Sequence, residues 1–264
     1  MSINLRPLPF VLVSSGHGTM IVNRNDHHMT EAQRGYGVGY QIFETSYFDP
    51  SEVQVATQLL SLRREFFGPG VVAIDGGANI GVHTIEWAKF MHGWGTVIAV
   101  EAQERIFYAL AGNVAINNCF NATLHNAALG AQEGSLSIPQ PNYLKPGSFG
   151  SLELRQSDRN ENIGQAIDYS ASGQVVRMIT VDGLQLDRLD FLKLDIEGME
   201  LEGLAGAAKS IQAHKPLIQV ETIKCDVGEL QRVLRGHGYE YHQFGINLIA
   251  IHSSDPCRAR IKSN

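Results

Sequence analysis

The sequence predicts an α/β fold in which a doubly wound, mainly parallel sheet has helices on both faces. Short apolar runs at residues 71–75, 96–100 and 123–125 have the composition of buried strands. They alternate with amphipathic helical patterns at about 80–92 and 106–117, and this β-α-β-α-β order is typical of a parallel sheet. The 264 residues suffice for one large domain with a small addition.

An N-terminal extension, a β-hairpin followed by a connecting segment, is predicted for residues 1–48. Apolar runs at 10–13 and 19–22 flank a glycine-bearing turn and predict the hairpin. The aromatic and glycine-rich segment at 35–47 is either a mobile flap or a packed connector. The extension is therefore expected to be a lid over a site or a dimer contact, and both alternatives stay open.

The main domain is predicted for residues 49–253 and begins with a helix that ends near Phe67. Asp49 is expected to cap this helix, because Pro50 stands at the first helical position and Glu52 lies three residues after the cap.

A glycine-rich turn joins the first core strand to the helix after it. The strand ends on Asp75, and Gly76, Gly77 and Gly81 permit a tight turn and the close approach of a ligand. Asn79 is expected to cap the helix. A strand, a glycine turn and a helix N-terminus form the usual nucleotide-binding geometry of α/β folds.

An insertion at residues 139–173 interrupts the alternation. It is rich in Pro, Gly, Ser, Asn and Gln, and predicted strands at 134–138 and 174–181 flank it. Long irregular insertions are often functional or disordered. Substrate selection and a disordered surface loop are the two interpretations of this segment.

The elements predicted after the insertion complete the sheet. They are strands at 190–195, 216–221, 239–244 and 247–251, a helix that opens at 196–200, and a helix at 227–237. The tail at residues 254–264 is polar and is expected to be loose.

Four of the predicted strands end on carboxylates, which are Asp75, Glu101, Asp195 and Glu221. In an open parallel sheet, ligands bind outside the carboxyl ends of the strands. Carboxylates around one crevice repel each other unless a positive or donor-rich group lies among them. A ligand with a cationic centre and free ribose hydroxyls therefore fits better than a dinucleotide. Glu101 lies about twenty residues beyond Gly81, where an acid accepts hydrogen bonds from a ribose diol.

Composition and charge disfavour several other classes of protein. The net charge of -6 leaves no basic surplus for binding nucleic acid. No stretch approaches the roughly 20 apolar residues of a membrane span. The three cysteines are odd in number and lack metal-like spacing, so we expect a reduced, cytoplasmic setting and no metal site.

Several motifs carry a family resemblance. Ile-Asp-Gly-Gly-Ala-Asn-Ile-Gly at 74–81 looks like a first cofactor motif, Glu-Ala at 101–102 like a second, and Asn-Ala at 126–127 like the segment that flanks an adenine. Thr-Val-Asp-Gly-Leu at 180–184, followed by Phe-Leu-Lys-Leu-Asp-Ile-Glu-Gly-Met-Glu at 191–200, is the most specific block. Together these motifs resemble the FkbM-type family of class I S-adenosylmethionine-dependent methyltransferases.

The resemblance implies a Rossmann-like methyltransferase sheet whose last strand is antiparallel, and S-adenosyl-L-methionine as the cofactor. The expected cofactor-binding residues are Asp75, Gly76, Gly77, Ala78, Asn79, Gly81, Glu101, Ala102, Asn126, Ala127 and Asp195. If the acceptor is a hydroxyl, a base helps to remove its proton. Asp195 is the first candidate for this base because of its position at a strand end, and Glu197 and Glu221 are the next.

The expected reaction is O-methylation of a hydroxyl on a sugar or a secondary metabolite. The chain has no Asn-Pro-Pro-Tyr-like run, which in N-methyltransferases binds a planar nitrogen, and this together with the resemblance favours oxygen. The expected partner is a small-molecule acceptor rather than nucleic acid or a membrane, and a homo-oligomer is compatible with the sequence. Two alternatives stay open, an NAD(P)-dependent oxidoreductase and a non-catalytic module that binds S-adenosylmethionine.

Overall fold

A computed structural model describes residues 6–30, 35–157, 160–170 and 173–261. The strands in chain order are β1 (Phe10–Ser15), β2 (Gly18–Asn23), β3 (His28–Met29), β4 (Gly35–Tyr36), β5 (Val71–Gly76), β6 (Gly95–Glu101), β7 (Ala122–Asn126), β8 (Ala128–Leu129), β9 (Gly134–Ile138), β10 (Gln174–Ile179), β11 (Phe191–Leu194), β12 (Leu217–Glu221), β13 (Tyr239–Phe244) and β14 (Asn247–His252). The helices are α1 (Val38–Thr45), α2 (Pro50–Phe67), α3 (Val82–Phe90), α4 (Glu104–Ile116), α5 (Glu200–Ala205), α6 (Ala208–His214) and α7 (Val227–Gly236).

Within the described residues, the central sheet has seven strands in the order β13-β14-β12-β11-β5-β6-β7. The neighbours from β12 to β7 are parallel, whereas β14 runs antiparallel to both β12 and β13. This topology confirms the predicted doubly wound, mainly parallel α/β fold and its antiparallel last strand. In the sheet, β5 lies between β6 and β11. The chain first adds strands on the β6 side of β5 and later on the β11 side, so the order of the strands switches beside the glycine turn.

Apolar side chains of the central strands alternate between two cores, one on each face of the sheet. In β11, Phe191 belongs to one core, and Leu192 and Leu194 belong to the other. Because both faces are covered, the strands are apolar almost throughout, which explains why their sequences read as continuous hydrophobic runs. Lys193 shares the face of Phe191 and is the exception, buried in the middle of an otherwise apolar strand.

The predicted N-terminal hairpin is present, because β1 and β2 pair antiparallel from Phe10–Asn23 to Ser15–Gly18. Met20 and Val22 of β2 are fully buried and join the core beside α4. The segment after the hairpin is a packed connector, since α1 buries Val38 and Ile42. Residues 1–5 and 31–34 of the predicted extension lie outside the described residues.

The insertion packs against the domain instead of extending as a surface loop. Phe149 and Leu152 are fully buried, and Ile163 is nearly so. The strands that flank the insertion, β9 and β10, pair antiparallel, and β10 also pairs with β8 in a separate small sheet. Residues 158–159 and 171–172 of the insertion lie outside the described residues.

Of the two predicted helix caps, Asp49 stands at the predicted cap position without capping through its side chain, and Asn79 is not a cap. Asp49 precedes α2 in a left-handed conformation, with φ 38°, and its side chain makes no capping hydrogen bond. The turn after β5 continues to Gly81, which precedes α3 with φ 93°, so Asn79 is not the cap. Its Oδ1 instead accepts a hydrogen bond from the backbone N–H of Ile80 at 2.7 Å.

The single helix predicted after β11 is broken into α5 and α6. Gly206 lies at the break, where an added Cβ would stand only 2.0 Å from the carbonyl oxygen of Gly130. The Asp182 carboxylate accepts hydrogen bonds from the backbone N–H groups of Lys209 and Ser210, at 3.0 and 2.8 Å. Asp182, which is distant in sequence, therefore caps the start of α6.

The prediction of a loose tail is wrong for the part of the tail that the structure describes. Cys257 is fully buried, and Asp255 is 7% exposed. The Asp255 carboxylate forms a buried ion pair with Arg63 of α2, whose guanidinium also binds Asp190 at 3.2 Å. The polar composition of the tail therefore reflects a buried ion pair as well as solvent contact. Residues 262–264 lie outside the described residues.

No helix in the described part of the chain is both long enough and apolar enough to cross a bilayer.

Candidate functional site

A cavity of about 400 Å³ lies at the carboxyl ends of β5, β6, β11 and β12. Its size falls within the range of small-molecule sites, which is about 300–1,000 Å³. The connector and α1 contribute Tyr36 and Val38 to its wall, and the insertion contributes Ser151 and Leu152. Two segments that are remote in sequence therefore roof the ends of the parallel strands.

Polar contacts hold the connector and α1 to the insertion, and we call these segments together the roof of the cavity. Asp26 is 3% exposed, and its two carboxylate oxygens accept hydrogen bonds from the backbone N–H groups of Gly39 at 2.9 Å and Phe149 at 3.0 Å. Burial raises the pKa of Asp26 to about 6, although both hydrogen bonds favour the ionised form. The Tyr36 hydroxyl donates to the backbone carbonyl of Asn162 at 3.0 Å.

The glycine turn forms one wall of the cavity through Gly77, Ala78 and Asn79. Gly77 has φ 75°, and a Cβ there would stand 1.7 Å from the carbonyl oxygen of Asp195. Only glycine permits this approach between the turn and the end of β11. The backbone N–H groups of Gly77 and Ala78 both donate to the carbonyl of Val100 at 3.0 Å, which ties the turn to β6.

Glu101, the last residue of β6, holds its carboxylate at the cavity wall. The residue is 6% exposed, and its two oxygens accept hydrogen bonds from the backbone N–H groups of Asn79 at 2.9 Å and Gln103 at 2.7 Å. Burial raises the pKa of Glu101 to about 7, and these hydrogen bonds act against that rise. The carboxylate is therefore preorganised beside the glycine turn.

Small apolar residues form the cavity wall next to Glu101. Ala102 and Ala127 line it, as predicted. Asn126 does not line it but supports the wall, because its Nδ2 donates to the carbonyls of Glu101 and Ala102 at 2.9 and 3.2 Å. Gln103, which sequence reasoning missed, lines the cavity and donates through Nε2 to the carbonyl of Phe149 at 2.8 Å.

Four of the expected cofactor residues lie outside the cavity lining, namely Asn126 and also Asp75, Gly76 and Gly81. The expectation that Asp75 contacts a cofactor directly is corrected by its complete burial. Its Oδ2 accepts a hydrogen bond from the Thr84 hydroxyl at 2.6 Å, and its Oδ1 lies 3.7 Å from Lys193 Nζ. Asp75 therefore supports the buried layer beneath the cavity through its contacts with Thr84 and Lys193.

Lys193 is the cation beneath the acid-lined part of the cavity. Its Nζ donates to Asp195 Oδ2 at 3.0 Å and lies near the Asp75 carboxylate. Burial lowers the pKa of Lys193, but the surrounding carboxylates outweigh burial and the net pKa is raised. Lys193 therefore stays charged and holds Asp195, whose side chain is 36% exposed and lines the cavity.

A second lysine, Lys224, joins the loop after β12 to the insertion. Its Nζ forms ion pairs with Glu197 and, at 3.1 Å, with Glu161, and it donates to the backbone carbonyl of Ser151 at 2.8 Å. Burial lowers the pKa of Lys224, and the two carboxylates raise it further than burial lowers it. The Glu197 carboxylate is therefore held in an ion pair with Lys224.

Glu221 ends β12, and both Glu221 and Glu52 of α2 line the cavity. The Oε2 of Glu221 is buried without a hydrogen-bond partner in the described structure. Glu52 Oε1 accepts from Asn247 Nδ2 at 2.8 Å. Burial is the main cause that raises the pKa of Glu221 to about 8 and that of Glu52 to about 7.

The cavity therefore brings together Glu101, Asp195, Glu197 and Glu221, which the sequence predicts, and several residues that it does not. Six of the missed lining residues with polar or charged side chains are Glu52, His83, Gln103, Lys193, Lys224 and Asn247. A lysine inside an apolar strand was the one available signal, because a buried charge needs partners. The other five lie on helix, loop or strand positions whose local sequence has no distinguishing pattern.

Fold and site together define a class of α/β protein with a glycine turn after the first core strand, a carboxylate at the end of the second core strand, and an acid-rich cavity at the strand ends. The family model described as "Methyltransferase FkbM domain" matches residues 75–241. The chain belongs to this family of methyltransferases.

Individual relatives are distant. "Methyltransferase 1" of Beauveria bassiana (strain ARSEF 2860) is 27% identical over 142 residues, which are 50% of this chain and 57% of the relative. The chain thus matches little more than half the length of that curated relative.

Among solved structures, the methyltransferase FkbM from Methylobacillus flagellatus KT is 19% identical with a TM-score of 0.48, and the match covers 69% of this chain and 44% of that chain. The precorrin-6y C5,15-methyltransferase from Geobacter metallireducens GS-15 is 15% identical with a TM-score of 0.45, covering 78% of this chain and 88% of that chain.

Proposed function

We propose that the chain binds S-adenosyl-L-methionine and transfers its methyl group to a hydroxyl oxygen of a small molecule, such as a sugar or a secondary metabolite. The observation that carries this proposal is the Glu101 carboxylate, which backbone amides hold at the wall of a cavity beside a glycine turn. The membership of the methyltransferase family supports the same reaction class.

The residues at the cavity fit this cofactor. Glu101 would accept hydrogen bonds from the ribose hydroxyls, the Gly77–Asn79 turn would lie against the donor, and Ala102 and Ala127 would pack against the adenine. When bound, the donor supplies an electrophilic methyl group on a cationic sulfur. Seven acidic side chains and two lysines line the described cavity, so its charge suits a cation.

Asp195 is the best placed of the three candidate bases. Its backbone carbonyl lies close to the glycine turn, which supports a position of this residue near the proposed donor. Lys193 holds Oδ2, while Oδ1 has no hydrogen-bond partner in the described structure and can accept the acceptor's proton. Glu197 is neutralised by Lys224, so it is a weaker candidate. Glu221 ends β12, the strand next to β11, and is considered below.

The roof of the cavity would contribute to catalysis by positioning the reactants and excluding water. In-line methyl transfer depends chiefly on positioning both reactants and excluding water. The insertion and the connector enclose the cavity from the side opposite the sheet, and Lys224 ties the insertion to the loop after β12. This arrangement supports the proposal that the insertion selects the acceptor.

Calorimetric titration tests the cofactor proposal. We expect S-adenosylmethionine to bind and NAD to give no signal, whereas NAD binding alone would favour an oxidoreductase. Asp195→Asn tests the base. We expect the methyl-transfer rate to fall by roughly 10²–10⁴-fold with donor affinity nearly unchanged. If the wild-type chain binds the donor and transfers no methyl group to any hydroxyl compound, the non-catalytic alternative gains support.

A further inference from the structure

One wall of the cavity carries two carboxylates that form no ion pair with any described residue, Glu52 and Glu221. The two lysines at the cavity are each engaged by two other acids. Glu52 receives only neutral amide donors, from Asn247 at 2.8 Å and from Gln219 at 3.4 Å. The described structure therefore supplies neither of these two carboxylates with a cation.

The two carboxylates are parts of one continuous surface. Glu221 of β12 lies directly opposite Asn247 in the antiparallel pair with β14. Asn247 is 3% exposed, and its Nδ2 reaches Glu52 on α2. Asn247 is thus paired with Glu221 through the sheet and hydrogen-bonded to Glu52 through its side chain, and all three residues line the cavity.

Glu221 supplies an independent sign of a missing ligand. The residue is 7% exposed, yet its Oε2 has no hydrogen-bond partner within the described structure. A buried, unpartnered carboxylate oxygen costs free energy unless a ligand supplies donors. An ammonium group provides three donors and a positive charge, whereas a hydroxyl provides one donor and no charge.

Apolar side chains adjoin this wall. Phe48, Ile223 and Ile246 line the same cavity, and Ile223 and Ile246 are 60% and 45% exposed. They offer a surface for the carbon skeleton of a ligand whose polar group reaches the acids.

We propose that the methyl acceptor is an amine-bearing hydroxyl compound, such as an amino sugar, whose protonated amine binds between Glu221 and Glu52. This inference rests on the proposed methyltransferase function. The raised pKa values of both acids agree with it, because a bound ammonium would favour their ionised forms. The ammonium of the donor's methionine end has the same chemistry, so the test must distinguish the two sources.

The test compares glucosamine with glucose as probes on the full chain loaded with S-adenosylhomocysteine, by calorimetric titration at neutral pH. We expect glucosamine to bind at least about tenfold more tightly, because a charge-assisted hydrogen bond contributes more than about 1.4 kcal/mol. Glu221→Gln, which keeps the side-chain shape, should reduce glucosamine to the affinity of glucose. Glu229→Gln on the outer surface of α7 is the matched control and should preserve the preference.

Each result bears on the inference. Equal binding of the two sugars, or no binding of either, would overturn it. A tenfold loss of S-adenosylmethionine affinity in Glu221→Gln with an unchanged sugar preference would assign the wall to the donor and also overturn it. If thermal melting shows that the Glu221→Gln variant is not folded, the Glu52→Gln variant takes its place. We expect the same loss of the preference for glucosamine. Failure of the wild-type chain to bind S-adenosylmethionine would instead refute the proposed function.

Discussion

Replacing Glu101 with alanine should weaken binding of S-adenosylmethionine strongly. The change removes the only acidic side chain of β6 that lines the described cavity beside the glycine turn. A hydrogen bond to a charged group contributes about 1.5–3 kcal/mol, which corresponds to roughly a ten- to 150-fold rise in the dissociation constant. Calorimetric titration of both proteins with the donor measures this difference.

Glu101→Ala also deprives two backbone amides of their acceptor, so a second variant must separate binding from folding. The N–H groups of Asn79 and Gln103 both donate to this carboxylate. Glu101→Gln keeps one oxygen and the side-chain shape, and it should lose affinity while retaining most of the free energy of unfolding. Glu104→Gln, three residues along and outside the cavity lining, is the control. Unchanged donor affinity in both Glu101 variants would refute the ribose role.

The pKa of Glu101 adds a pH dependence with a definite sign. Its pKa is about 7 in the protein alone, well above the usual 4.5. The proton must leave before the carboxylate can accept both ribose hydroxyls, so donor affinity should rise as pH increases through 7. In the protein alone, the stability that Glu101 contributes is present below its usual pKa and is lost as pH rises through 7. The donor should therefore raise the melting temperature more at pH 8 than at pH 6, and Glu101→Gln should reduce this difference.

Three further changes test the fold and the site. Arg63→Met should lower the free energy of unfolding by about 3–5 kcal/mol, because it leaves the buried carboxylate of Asp255 without a cation, whereas Asp190 keeps its ion pair with Arg188. Urea denaturation measures the loss, and a variant as stable as the wild type would contradict this. Asp26→Ala should cost about 2–4 kcal/mol by removing the acceptor of two backbone amides, and it should speed proteolytic cleavage within the insertion. An unchanged cleavage rate would mean that Asp26 does not hold the roof. Gly77→Ala should abolish donor binding in calorimetry, since its Cβ would stand 1.7 Å from a carbonyl oxygen; near-normal affinity would show that the turn can shift.

The sequence predicts much of the candidate site because parallel strands impose a simple rule. Once residues 71–75, 96–100 and 190–195 are recognised as buried parallel strands, their last side chains must meet at one edge of the sheet. Glu101 and Asp195 follow directly from that rule, and both line the cavity. Asp75 also ends a predicted strand, yet the rule does not say to which face its side chain points.

The connector, the insertion and the tail were predicted less well because their contacts are remote in sequence. Asp26 joins α1 to a residue 123 positions later, and Arg63 of α2 pairs with Asp255. Local composition describes these segments as polar, glycine-rich or irregular, and it cannot distinguish a solvated polar group from a buried pair. Burial and pairing become visible only when the partner is known.

The sequence by itself determined the sheet, the glycine turn and the acids at the strand ends, since all three depend on periodicity and on residues adjacent in the chain. Only the tertiary structure decided which of the cavity acids have a cation beside them. Lys193 and Lys224 each hold two carboxylates, while Glu221 and Glu52 face the cavity without a cation. The physical reason is that the charge state and availability of a buried group depend on neighbours in space, and strand order and helix packing set those neighbours.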